Sequence, residues 1–216
     1  MTTGVDTFVG TDKNELITGT TSTLVAKNTL NQKDVIDGGE GSDIFKLNME
    51  SNNSAFTDGS IKNVEKIELT NDTVITRTFD AKNVTGATEY NINSAKGVNL
   101  TNLESTGIKV SQEGTQSNTS ITYVSTLDLT GTTDAATLAF KDVGAAKTDS
   151  STGFNQKTTL AKIEALSIES NGTANFVDLT NVDAATSVTV TGAADLTVSN
   201  VGKKLTSFDA NAATGK

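Results

Sequence analysis

The sequence predicts an all-β protein, built as a parallel β-helix or β-solenoid-like stack with a distinct N-terminal coil. Three observations predict this. Short alternating runs of apolar and polar residues recur along the chain, a nine-residue register organises the first fifth, and a unit of 98 to 99 residues recurs in the remainder. Alternation with period two places every second side chain on one face of a strand. A long internal period is the mark of stacked units that share one core. A β-sandwich-like body is the alternative, because short strands at intervals near ten residues suit both architectures.

The N-terminal register comes first. Asp6 and Glu15 are nine residues apart, as are Phe8 and Ile17, and Gly10 and Gly19. Asp34 and Asp43, and Ile36 and Phe45, keep the same step. Ile17 and Ile36 are nineteen apart, two nines plus one, so an insertion around residues 22–28 absorbs the extra residue. The most fully spelled turn is Gly38-Gly39-Glu40-Gly41-Ser42-Asp43-Ile44-Phe45-Lys46. It matches the nonapeptide G-G-x-G-x-D-x-U-x, in which U is a large apolar residue, a calcium-binding β-helix repeat. Glycines turn the backbone tightly and aim carbonyl oxygens inward. The aspartate adds a hard oxygen of the kind Ca²⁺ prefers. The expected metal site therefore pairs Asp34 with Asp43 and draws on the carbonyls of Asp37, Gly38, Gly39, Glu40 and Gly41. Asp6, Asp12 and Glu15 form a second, poorer candidate set, in which Glu stands for Asp and glycines are few.

Residues 1–50 thus form one segment, and residues 51–216 a Thr/Asn-rich strand region. Strands are expected at Glu65 to Leu69 and at Tyr90-Asn91-Ile92, Val98-Asn99-Leu100 and Ile108-Lys109-Val110. Further runs are Leu127-Asp128-Leu129, Leu166-Ser167-Ile168, Val188-Thr189-Val190 and Leu196-Thr197-Val198. Each is short, rich in β-branched residues and bounded by Gly, Asn, Asp or Ser. Leu160, Ile163 and Leu166 have helical spacing, which admits one short helix over 157–166, and 80–85 reads as a turn.

Residues 61–110 align with 160–208. The run from Ile61 to Leu69 falls on Leu160 to Ile168 at an offset of 99, and Tyr90, Val98 and Asn102 fall on Val188, Leu196 and Asn200 at an offset of 98. Glu65 and Glu164 recur once per unit between apolar neighbours. That placement predicts a bond to a neighbouring turn rather than the paired carboxylates of a glycosidase. Phe208-Asp209-Ala210 echoes Phe79-Asp80-Ala81, as if a further unit began there, which reads as a fragment of a longer protein.

Composition narrows the chemistry. The 216 residues include no Cys, His, Pro or Trp. Thiolate metal sites and Ser–His or Cys–His nucleophile pairs are therefore impossible. A net charge of −9 leaves no basic footprint for a nucleic acid. No stretch reaches the roughly 20 apolar residues of a membrane-spanning helix. The reading is a protein that is not an enzyme, whose cofactor is Ca²⁺.

The stretch from Gly4 to Thr11, with Asp34 to Asp43, resembles the RTX-type calcium segment of bacterial surface-layer proteins, such as those of Campylobacter and Caulobacter. Ile61 to Leu69 and its copy resemble the Thr/Asn-rich repeats that follow that segment. The resemblance implies a protein secreted by a type I route to the bacterial cell surface, assembling a calcium-dependent lattice. Its partners would be copies or neighbouring segments of the same protein, with cell-surface polysaccharide as a further candidate. It carries calcium residues onto Gly38, Gly39, Gly41 and Asp43, and onto Asp34. The second reading is a binding module of a large secreted RTX-type adhesin with a glycan or receptor ligand.

Overall fold

The computed structural model of the protein describes residues 1–148 and 153–216. No helix occurs among them. The first coil carries β1 (Thr7–Val9) and β2 (Leu16–Thr21), and the second β3 (Val35–Asp37) and β4 (Ile44–Met49). The third carries β5 (Ser60–Lys62), β6 (Lys66–Thr70) and β7 (Arg77–Asp80). The fourth carries β8 (Val84–Thr85), β9 (Glu89–Asn93) and β10 (Val98–Leu103). Two strands mark each later coil: β11 (Lys109–Glu113) and β12 (Thr119–Tyr123), β13 (Ala135–Lys141) and β14 (Gln156–Leu160). They continue with β15 (Ala165–Asn171) and β16 (Ala174–Asp178), then β17 (Ser187–Gly192) and β18 (Asp195–Val198), and β19 (Ser207–Ala213) comes last.

Stacking these coils builds three sheets. One has nine strands in the order β19-β17-β15-β13-β11-β9-β6-β4-β2, one six in the order β18-β16-β14-β12-β10-β7, and one four in the order β1-β3-β5-β8. Neighbouring strands within each sheet pair in parallel, as in Ile17 against Phe45 and Phe45 against Ile67. Sandwich sheets pair their strands antiparallel. The parallel β-solenoid-like stack is therefore the architecture, and the sandwich alternative falls.

The coil length varies. It is 28 residues from Leu16 to Ile44, falls to 20 from Glu89 to Lys109, and reaches 30 from Ala135 to Ala165 and 39 from Thr119 to Thr158. The nine-residue step has a different meaning. Phe8 and Ile17 belong to one coil and to different sheets, as do Ile36 and Phe45. Nine residues carry the chain from one side of a coil to the next. The remaining nineteen, from Ile17 to Ile36, complete the circuit.

Inside, like side chains stack in columns. One runs Ile17, Phe45, Ile67, Tyr90, Val110, Leu138, Ile168, Val190 along the nine-stranded sheet. All of these are buried and belong to one continuous apolar cluster. Outward residues of the same sheet carry ion pairs between coils, such as Lys46–Glu68 at 2.9 Å and Lys109–Glu89 at 3.7 Å. These exposed pairs add little stability individually.

Three local expectations fail. Leu127-Asp128-Leu129 is not a strand, because Asp128 Oδ1 accepts the Thr130 amide at 3.0 Å and its hydroxyl at 2.6 Å. An aspartate bonding the backbone two residues on closes a turn instead. No helix forms over 157–166: the segment divides between β14 and β15, with Lys162 at φ +62° between them. Phe79 and Phe208 sit in different sheets, so their likeness marks no structural repeat. The turn expected at 80–85 is present, with Asn83 at φ +65°.

Candidate metal centre

The carboxylates of the glycine-rich segment lie at the corners where the chain enters a strand. Asp34 precedes β3 and Asp43 precedes β4, and both are fully buried. A buried carboxylate must find hydrogen-bond donors. Asp34 does so completely. Its Oδ1 accepts the Asp6 amide at 2.8 Å and its Oδ2 the Asn31 amide at 2.7 Å. Asp43 Oδ1 accepts the Glu15 amide at 2.7 Å. Each aspartate thus ties down the corner residue 28 positions earlier, in the preceding coil.

The pairs that the structure makes are therefore Asp6 with Asp34 and Glu15 with Asp43. Asp34 and Asp43 head strands of two different sheets. Asp6 keeps its own carboxylate on Thr2, accepting its amide at 2.7 Å and its hydroxyl at 2.8 Å. Glu15 accepts the Thr11 hydroxyl at 2.5 Å and amide at 3.2 Å. Asp37 Oδ1 takes the Gly39 amide at 3.1 Å and Asn63 Nδ2 at 2.8 Å. Asp12 and Glu40 are exposed.

The glycines serve close packing between coils. A Cβ on Gly38 would run into the Asn63 carbonyl oxygen and Asp43 Oδ2. Gly39 and Gly41 hold φ of +90° and +116°, conformations that side chains resist. The Gly38 amide donates to the Lys62 carbonyl at 2.9 Å, and the Glu40 amide to the Thr11 carbonyl at 2.9 Å.

Asp43 Oδ2 is buried with no hydrogen-bond partner, as are Asn48 Oδ1, Thr115 Oγ1 and Asp134 Oδ2. Burial pushes the Asp43 carboxyl above its ordinary range, and the charges of Glu15 and Glu65 push it further. Glu65, in the third coil, stacks on the same corner, where its Oε2 accepts the Asp43 amide at 2.7 Å. Glu15, Asp43 and Glu65 thus form a column through three coils. Glu65 was not legible as part of the site, because it lies 22 residues after Asp43 and outside the nine-residue register. Among the described residues no three Asp or Glu side chains converge as a ready-made metal cage. Asp43 has the unclaimed, buried anionic oxygen a cation requires, and Asp34 has none left.

The 98-to-99-residue repeat reappears as recurring bonds. Glu164 Oε2 accepts the Asp134 amide at 3.1 Å, as Glu65 Oε2 accepts that of Asp43. The Glu65 carbonyl receives the Thr88 amide and the Glu164 carbonyl the Thr186 amide, at 2.8 and 2.9 Å. Asn102 Nδ2 donates to Asp80 at 2.8 Å and Asn200 Nδ2 to Asp178 at 3.1 Å. The repeat spans four coils and preserves the bonds that join one coil to the next.

Comparison with protein-family models, curated proteins and solved structures yields no match for this chain.

Proposed function

We propose that this chain is a structural segment of a secreted bacterial cell-surface protein, a non-catalytic β-stack that calcium reinforces at the Glu15–Asp43 corner and that associates with neighbouring segments or copies in a lattice. The observation that carries the calcium reading is Asp43 Oδ2, a buried, unpartnered oxygen between two further carboxylates. Such a group needs a positive counter-charge, and a hard oxygen set favours Ca²⁺. The glycine nonapeptide supplies the close packing around it, and the continuous column of side chains suits a rod that bears load rather than a cleft that binds substrate.

Thermal melting in calcium, in magnesium and in chelator tests the reading, with Asp43→Asn beside the unaltered chain. A ligand held only by the folded state contributes about 2.7 kcal/mol at a hundredfold excess over Kd. For a chain of this size that corresponds to roughly 5–10 °C. Calcium should raise the melting temperature of the unaltered chain by that order, and the Asp43→Asn substitution should abolish the response. Superimposable melts in calcium and chelator would sink the metal role. Sheets or filaments appearing on calcium addition would support the lattice, and a strictly monomeric species at high concentration in calcium would remove it.

A further inference from the structure

The interior of the stack is mostly apolar, and the buried polar side chains gather in a few places: the corner aspartates, Asn71 with Ser94, Ser170 with Asn175, and a cluster of four between β11, β12 and β14. Gln112 of β11, Thr119 of β12, and Gln156 and Thr158 of β14 are all buried. They occupy inward positions that aliphatic or aromatic side chains fill elsewhere. Gln112 stands between Ile92 and Phe140 in its column, and Thr119 pairs with Thr158 one step from the Ile121–Leu160 pair.

Their hydrogen bonds close on themselves. Gln112 Nε2 donates to Thr158 Oγ1 at 3.0 Å, and that hydroxyl donates to Gln156 Oε1 at 3.0 Å. Gln156 Nε2 donates to Thr119 Oγ1 at 3.0 Å, and that hydroxyl donates to Gln112 Oε1 at 3.1 Å. A further bond, Gln156 Nε2 to Gln112 Oε1 at 2.9 Å, crosses the ring. Each hydroxyl donates once and accepts once, so the four side chains satisfy one another. The ring links the nine-stranded sheet to the six-stranded sheet and the fifth coil to the sixth.

The connection around this layer is the longest between paired strands, 39 residues from Thr119 to Thr158. The step from Ala135 to Ala165 is the longest between neighbouring strands of the nine-stranded sheet, and 32 residues separate Tyr123 from Gln156. In a strand, a slip of one residue turns the apolar face outward and is penalised heavily. A slip of two keeps every inward side chain inward. Apolar patterning alone therefore does not oppose it. Hydrogen bonds with fixed partners do, because a two-residue slip would leave buried amides and hydroxyls unpaired.

We propose that the Gln112–Thr158–Gln156–Thr119 ring is a register lock that selects the pairing of β14 on β12 against two-residue slips. Polar groups buried in an apolar seam are known to choose register at some cost in stability.

The absence of cysteine makes the pairing directly readable. In the observed register Ser120 faces Thr159. A two-residue slip brings Lys157 opposite Ser120 instead. Two reporters follow, Ser120→Cys with Thr159→Cys and Ser120→Cys with Lys157→Cys, since facing strand residues approach closely enough for a disulfide. With the ring intact, mild oxidation should cross-link the 120/159 pair and leave the 120/157 pair reduced. Each reporter is then placed in Gln112→Leu/Gln156→Leu, and in the fourfold variant that adds Thr119→Val and Thr158→Val. The lock predicts that these backgrounds fold and that the 120/157 cross-link appears at a yield comparable with 120/159. Cross-linking of 120/159 alone in either folded background would overturn the proposal. Failure of both backgrounds to fold would overturn it too, by making the ring a condition of folding rather than of register.

Discussion

Single side chains at the corners decide how one coil grips the next. Asp178 shows the logic. Burial raises its carboxyl, but the Thr180 hydroxyl and amide, the Asn200 amide and the nearby Lys157 outweigh burial and hold it below its ordinary 3.8. The folded value lies below the unfolded one, so this group stabilises the fold above pH 3.8 and loses that contribution as pH falls through the folded value. Removing a donor moves the folded value back up. Asn200→Ala should therefore bring acid unfolding on at a higher pH, and circular dichroism during acid titration measures it. An unchanged acid limb would show that the Asn200 bond is not coupled to folding. The sequence displayed Asn102 and Asn200 as an aligned pair, but not their partners. Asp80 and Asp178 lie 22 residues earlier, a distance set by the length of the intervening coil and by no local pattern.

Among the elements, the glycine loop between β3 and β4 is the tightest junction. Gly38 lies against the backbone of Asn63 in the next coil, so the smallest side chain forces the two coils apart. Overpacking of this kind costs about 1–3 kcal/mol. Gly38→Ala should lower the melting temperature in chelator, because the clash with the Asn63 carbonyl is steric, and should also shrink the calcium response, because the same Cβ meets Asp43 Oδ2. A Gly38→Ala chain that melts with the unaltered one would mean the corner relaxes freely. Most strands were legible from alternation, since one face of each packs inward and the other meets water. Leu127 to Leu129 alternates equally well and is a loop, because aspartate and threonine satisfied each other before any ladder could. The segment 22–28 read only as an insertion, and residues 29 and 30 follow it directly. These two have a role at the sheet margin: the Thr29 and Leu30 amides bond the Thr20 carbonyl, at 2.8 and 3.1 Å, and Thr29 Oγ1 accepts the Thr20 amide. These bonds cover part of the outer margin of β2, a common protection against stray pairing.

The molecule as a whole behaves as a row of neighbours, each coil touching the coils beside it. Stability in such a row is a sum of local terms and interfaces. Amide exchange should accordingly be slowest in β6, β9 and β11, which have partners on both sides, and fastest in β19, whose residues are almost all exposed. Uniform protection from β2 to β19 would instead mean a single cooperative unit. The all-β class and the stacked architecture were legible because periods of two and of 98 to 99 survive in the sequence. The coil length was not. It varies between 20 and 39 residues, so strand partners share no fixed spacing. The nine-residue register marked the sides of a coil and disclosed nothing of its circumference. For the same reason Asp34 and Asp43 read as a pair across coils, whereas each accepts the backbone amide of the residue 28 positions before it, Asp6 or Glu15.

Parallel pairing also gives the rod a mechanical direction. The main-chain hydrogen bonds between coils point along the stack, while the covalent chain runs around it. Tension along the stack loads those bonds a few at a time, beginning at an end coil. Each coil released adds 20 to 39 residues of free chain, roughly 70–130 Å when drawn out. The rod would lengthen in discrete steps under load, absorbing work with each, where a structure pulled across its strands would hold and then break at once.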